Sequence, residues 1–137
     1  MNAVGVMQVE LKIPRKPEFV RLARATAWAL AAQLDFVVSH ADDIKLAVGE
    51  ACTNAVEHVP ADRSDEVVVR FLVDPERLTV EVVDNGPGFA IVDGGAPGES
   101  ERGLGLVIIQ SIMDEVDVVC DPKTGTCVRM TKYRARL

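Results

Sequence analysis

Glu50-Ala51-Cys52-Thr53-Asn54-Ala55-Val56-Glu57-His58 decides how the rest of the chain is read. Ile44, Val48, Ala51, Ala55 and Val59 recur at helical spacing through and around it, so the stretch belongs to a helix that Pro60 ends. Ser39, followed three residues later by Asp42, resembles a capping box at its start. At about 100° per residue, Glu50 and Asn54 lie within about 40° of each other and flank the apolar face instead of opposing it. A carboxylate and an amide one turn apart can therefore line a cleft beside the core. An isolated pair of this kind is more often a solvated helix face, so its meaning depends on what the rest of the chain supplies.

Upstream, Val9, Leu11 and Ile13 alternate with Glu10 and Lys12, the pattern of a half-buried strand that stops at Pro14. Residues 1–7 are expected to form a flexible N-terminus. From 17 to 34, Val20, Ala23, Ala27, Leu30 and Leu34 mark one face of a helix, with Pro17 in its first turn. Trp28 is assigned to the core, while Arg21 and Arg24 face elsewhere, toward solvent or a partner. Downstream, Val67, Val69, Phe71 and Val73, the turn Asp74-Pro75-Glu76, and Leu78, Val80 and Val82 read as a β-hairpin. Its second strand ends on Asp84. Leu104 to Met113 forms a largely buried helix, and residues 116–120 and 126–133 flank a turn as a last hairpin. Hairpin strands with helices set apart predict an α+β two-layer sandwich, its sheet mixed or antiparallel and its helices on one face.

At 137 residues and 48% hydrophobic content, the chain can bury the core of one domain. Lys and Arg total 15 against 21 Asp and Glu, so the surface on balance repels nucleic acid. Cys52, Cys120 and Cys127 are odd in number and form no C-x-x-C pair, against both a disulfide framework and a structural zinc site. No apolar run reaches membrane-spanning length, and residues 1–7 lack the basic start and long apolar stretch expected of a signal peptide. A cytoplasmic protein with no membrane association and no direct nucleic-acid contact is expected.

Two glycine-bearing stretches give the Glu50/Asn54 pair its company. Asp84-Asn85-Gly86-Pro87-Gly88-Phe89 follows an apolar strand, where the Asp84 carboxylate can accept a hydrogen bond from an exocyclic amine such as that of adenine. Gly86 and Gly88 let backbone approach a flat ring closely. In Arg102-Gly103-Leu104-Gly105-Leu106, Gly103 and Gly105 precede and enter a helix whose free N–H groups and positive dipole end suit phosphates, with Arg102 adding charge. Asn54 offers a neutral oxygen to Mg²⁺, a hard ion that takes its other ligands from water and substrate phosphates. Glu50 can accept the proton of a hydroxyl attacking a γ-phosphate. Together these residues point to ATP with Mg²⁺. His58, alone near a helix end, is more often structural and stays outside the site.

In order, E-x-x-x-N-A-x-x-H, D-N-G-P-G-F and R-G-L-G-L resemble the N box and two glycine boxes of the Bergerat (GHKL) ATP-binding fold. Within that fold, the 50–58 stretch, Gly103-Leu104-Gly105-Leu106, Met113-Asp114-Glu115-Val116 and Met130-Thr131-Lys132-Tyr133 resemble the anti-sigma-factor serine/threonine kinases of the RsbW and SpoIIAB type. The likeness runs from about Val9 to Tyr133. It implies an ATP- and Mg²⁺-dependent homodimer that sequesters a sigma factor and phosphorylates an anti-anti-sigma antagonist of the STAS type. On this chain it makes Glu50 the catalytic carboxylate, Asn54 the magnesium ligand and Asp84 the adenine-binding acid. Gly86, Gly88, Arg102, Gly103, Leu104, Gly105 and Leu106 become nucleotide-loop residues, Thr131 a nucleotide-pocket threonine, and 89–102 the ATP lid. An acidic surface suits a partner whose basic face meets DNA. Two other activities share such a site: a switch-type serine kinase that activates a phosphatase, and a nucleotide-dependent module that sequesters without phosphorylating.

Overall fold

The computed structural model describes residues 7–57, 66–84, 99–121 and 125–134. Five strands, β1 (Met7–Pro14), β2 (Glu66–Val73), β3 (Arg77–Asp84), β4 (Glu115–Asp121) and β5 (Gly125–Tyr133), form one sheet in the order β1-β2-β3-β5-β4. Every pairing is antiparallel. Three helices, α1 (Val20–Gln33), α2 (Val38–Glu57) and α3 (Glu99–Ile112), make the second layer, with α2 packed between α1 and α3. The expected α+β two-layer sandwich is what forms.

Strand alternation sets the layers. Val67, Val69, Phe71 and Val73 of β2 and Leu78, Val80 and Val82 of β3 point to the helices and are buried against Val48, Ala51, Ala55 and Ile109. A one-residue slip in any pairing would expose that set, so register is firmly specified. β1 runs longer than its apolar residues suggest, because as an edge strand it can begin at Met7 and include Pro14, whose missing N–H costs no inner hydrogen bond.

The helix ends show local chemistry at work. α1 follows a single 3-10 turn at Pro17–Phe19 and stops in a Schellman motif. The Phe36 N–H donates to the Ala31 carbonyl at 3.0 Å and the Asp35 N–H to the Ala32 carbonyl at 3.1 Å. Asp35 takes the left-handed φ of 64° that this stop requires, a conformation short polar side chains tolerate. α2 starts at Val38, so Ser39 lies inside its first turn and the expected box does not precede the helix. Asp42 is occupied otherwise, accepting from Trp28 Nε1 at 3.2 Å. Trp28 itself is 39% exposed, which corrects its assignment to the core: its polar edge reaches Asp42 across the helix pair. Val59, His58 and the expected stop at Pro60 lie outside the described residues.

Two polar groups sit deep in the fold. Lys132 is buried on the helix side of β5, its Nζ donating to the Ile112 carbonyl and standing 3.5 Å from Asp43 Oδ2, so it ties the end of α3 to α2. The Cys52 thiol is pushed up to about 12 by burial, partly opposed by the Arg24 charge. The thiolate is the nucleophile, so Cys52 should be inert while the fold is intact. Iodoacetamide at mildly alkaline pH is expected to leave Cys52 unmodified until denaturant is added, as read by peptide mass mapping. Labelling of the native protein at the rate of a free thiol would contradict its burial.

Candidate functional site

α2 and α3 meet where the site residues converge. A Cβ placed on Gly105 would stand 3.2 Å from Asn54 Nδ2, 3.3 Å from Glu50 Oε1 and 3.5 Å from Asn54 Oδ1. A side chain here would press on both neighbours by a few tenths of an ångström, and the α2 pair faces the backbone of the glycine-bearing helix. Asn54 is 8% exposed and Glu50 is half-buried, so neither belongs to an ordinary solvated helix face.

Asp84 ends β3 on the helix side, 4% exposed. It is the register partner of Val67 in β2 and of Thr126 in β5. Thr126, the second residue of β5, is 1% exposed on the same face, so a buried hydroxyl-bearing residue accompanies the buried carboxylate. The sequence reading passed over Thr126. Its signal was the pairing of β3 with β5, which sets the first residues of one strand beside the last of the other.

Thr131 does not join this group, and its assignment to the nucleotide pocket is corrected. It lies five positions after Thr126, an odd offset, so it projects from the opposite face of the sheet. There it pairs with Thr79 at 3.2 Å between hydroxyls, in a cavity of about 260 Å³ with Arg77, Glu115, Asp117 and Arg129.

The expected lid of 89–102 is shortened by α3, which begins at Glu99 and so claims residues 99–102. Arg102, Gly103 and Leu104 lie in the first turns of α3, and Gly105 and Leu106 follow within the helix. The first four backbone N–H groups of a helix lack intrahelical acceptors. The N–H groups without intrahelical acceptors at this helix start consequently precede Gly103 and Gly105, the donors that the sequence suggested. Gly86, Gly88 and the remainder of the lid lie outside the described residues.

The donors fit a hard cation that leans on its substrate. Among the described residues, no group of three or more His, Cys, Asp or Glu could hold a metal. Asn54 and Glu50 supply oxygens at one edge only, which suits an ion completing its shell with water and phosphate oxygens. Gly105→Ala tests this geometry. Alanine improves helix propensity, by up to about 1 kcal/mol, yet its methyl would press on both side chains. Thermal unfolding is expected to hold or rise while turnover with ATP falls about tenfold, since small misplacements at a reacting centre are costly. Unchanged turnover would show that the contact is incidental.

Comparison with known proteins places this arrangement. Residues 13–132 match the histidine kinase-like ATPase domain family. The chain is 41% identical over 140 residues to the serine-protein kinase RsbW of Bacillus licheniformis, covering 93% of this chain and 86% of that protein. With the serine-protein kinase RsbW of Bacillus subtilis it is 39% identical over 137 residues, covering 91% and 84%. The anti-sigma F factor of Caldanaerobacter subterraneus subsp. tengcongensis is 37% identical over 135 residues, covering 93% and 94%. Among solved structures, the histidine kinase domain from the Erythrobacter litoralis EL346 blue-light activated histidine kinase superposes with a TM-score of 0.51 at 24% identity, covering 88% of this chain and 61% of that one. That last likeness is one of fold. With a match spanning residues 13–132 and relatives this similar along nearly the whole chain, the protein belongs to the histidine kinase-like ATPase domain family and is a nucleotide-using protein of that fold.

Proposed function

We propose that the protein is an ATP-dependent serine/threonine kinase and anti-sigma factor, which holds a sigma factor and phosphorylates an anti-anti-sigma antagonist of the STAS type. The observation that carries the kinase reading is the Glu50 carboxylate, its Oε1 3.3 Å from the Cβ position of Gly105, beside buried Asn54. Relatives named serine-protein kinase and anti-sigma F factor, similar over more than nine-tenths of the chain, support both halves of the reading.

In this reading Asp84 accepts a hydrogen bond from the adenine amine, with Thr126 beside it. The start of α3, with Arg102, receives the phosphates, and Gly103, Leu104, Gly105 and Leu106 shape the wall behind them. Mg²⁺, held through Asn54 and phosphate oxygens, would supply the positive charge that offsets charge on the transferring group. Glu50 accepts the proton of the antagonist's serine or threonine hydroxyl. The freed oxygen bonds to the γ-phosphorus as the bond to ADP breaks. The resemblance also assigns Gly86, Gly88 and the 89–102 lid to the nucleotide; residues 85–98 lie outside the described residues. In this reading the protein acts as a homodimer in the cytoplasm, as the resemblance implies.

Sequestration and its release are tested together by immobilising the protein with ATP and Mg²⁺ and adding purified sigma factors of its own genome one at a time. One sigma factor should be retained and then displaced by an unphosphorylated antagonist. Retention of none would remove the anti-sigma half of the reading and leave the kinase half standing.

A further inference from the structure

A lysine from β5 stands between the ends of two helices. Lys132 Nζ donates to the Ile112 carbonyl, one of the last carbonyls of α3 that lack an intrahelical donor. The same ammonium lies 3.5 Å from Asp43 Oδ2 on α2. Its side chain is 8% exposed, and a cation is favourable at a helix C-terminus, where the dipole is negative. A buried charged pair is weak evidence for stability, since apolar residues of similar volume often do as well; its best-attested use is to fix registry. The turn beyond α3 is also held to β5, the Asp114 N–H donating to the Thr131 carbonyl at 2.9 Å and the Tyr133 N–H to Asp114 Oδ2 at 2.7 Å.

The spacing of the contacts gives registry a role. Asp43 and Glu50 are seven residues apart on α2, and Gly105 and Ile112 are seven apart on α3. Seven residues span about 10.5 Å and return to within about 20° of the same face. The lower-numbered residue of one pair meets the higher-numbered residue of the other, so the helices run antiparallel and the two contacts are rungs of equal spacing. At the first rung Gly105 faces Glu50 and Asn54 with no side chain to interlock. Between the rungs Ile109 is fully buried, but apolar contact is non-directional and holds α3 down without setting its level along α2. The level is set at the second rung.

We infer that Lys132 is a positioning residue, which through Asp43 and the Ile112 carbonyl fixes α3 along α2 so that the start of α3 meets the nucleotide phosphates opposite Glu50 and Asn54. This rests on the nucleotide site proposed above and adds what holds that site in alignment from its far end. Lys132 touches neither nucleotide nor acceptor, because Ile112 closes α3 about 20 Å along the helix from Glu99. A slip of α3 by about 1 Å, a displacement that already costs a reaction dearly, would move the helix start and leave Asp84 in place on β3. Phosphate contacts then suffer and the adenine contact does not.

Lys132→Met keeps the length and apolar contacts of the side chain and removes its charge and donors. ATP with Mg²⁺ should bind about tenfold more weakly and phosphoryl transfer should slow about tenfold, while adenosine, which needs only the Asp84 end, should bind within about twofold of wild type. Competition against a fluorescent nucleotide reads both affinities. Asp43→Asn leaves Lys132 bonded to Ile112, and the Asp43 carboxylate is partly exposed, so ATP alone should weaken by about threefold. That second variant decides the matter if Lys132→Met does not fold. Equal losses for ATP and adenosine, or unchanged ATP binding in the folded variants, overturn the proposal. An ATP-specific loss in a protein whose wild type phosphorylates no acceptor would keep the positioning role and remove the kinase reading, so the two fail separately.

Discussion

Glu50→Gln should lower phosphoryl transfer by about 10²–10⁴-fold, the range general-base catalysis supplies, while ATP binds as before. Glutamine keeps the volume and the helix propensity of glutamate, so the packing of α2 on α3 at Gly105 is preserved. What it loses is the ability to take a proton. Helix position limits what else could substitute: Asn54, one turn on, cannot act as a base, and Glu57 lies two turns away. Steady-state transfer to a protein acceptor, with ATP affinity measured separately by calorimetry, distinguishes a lost base from a lost nucleotide. Near wild-type transfer by Glu50→Gln would show that the carboxylate only orients its neighbours.

Asp84→Asn should weaken ATP binding by about 10–100-fold, as expected when a hydrogen bond to a charged acceptor is lost. The site amplifies the effect. Asp84 is 4% exposed, and its register partners Val67 and Thr126 are fully buried, so water cannot readily replace the missing bond. The amide can also present a donor to the adenine amine. A purine triphosphate lacking that amine makes the cycle complete: it should bind wild type and variant nearly alike. Equal loss for both nucleotides would place the effect in the fold, and no loss for ATP would remove Asp84 from the adenine site.

The parts of the site that rest on local periodicity were legible before the fold was known. Glu50 and Asn54 share a helix, and one turn of spacing fixes their relation wherever that helix packs. Asp84 was legible as the last residue of an apolar strand. Thr126 was not, because it depends on which strand lies beside β3, and nothing local says that β5 does. Thr131 was misplaced by resemblance, since a motif match cannot report the parity that turns it to the outer face. The start of α3 was hidden by its own glycines: Gly103 and Gly105 lower helix propensity, yet Gly105 is held in the helix by its packing against Glu50 and Asn54. Lys132 belongs to the same class, a cation on the core face that makes sense only once the Ile112 carbonyl and Asp43 are beside it.

The central claim is that this site transfers the γ-phosphoryl group of ATP to a protein hydroxyl. Incubating the purified protein with γ-labelled ATP, Mg²⁺ and the small antagonist-type proteins of its own genome tests it most directly. The account predicts label on a serine or threonine of one antagonist, absent with Glu50→Gln and with Asn54→Ala. ATP binding with no label on any antagonist would contradict it and leave a module that sequesters its partner under nucleotide control.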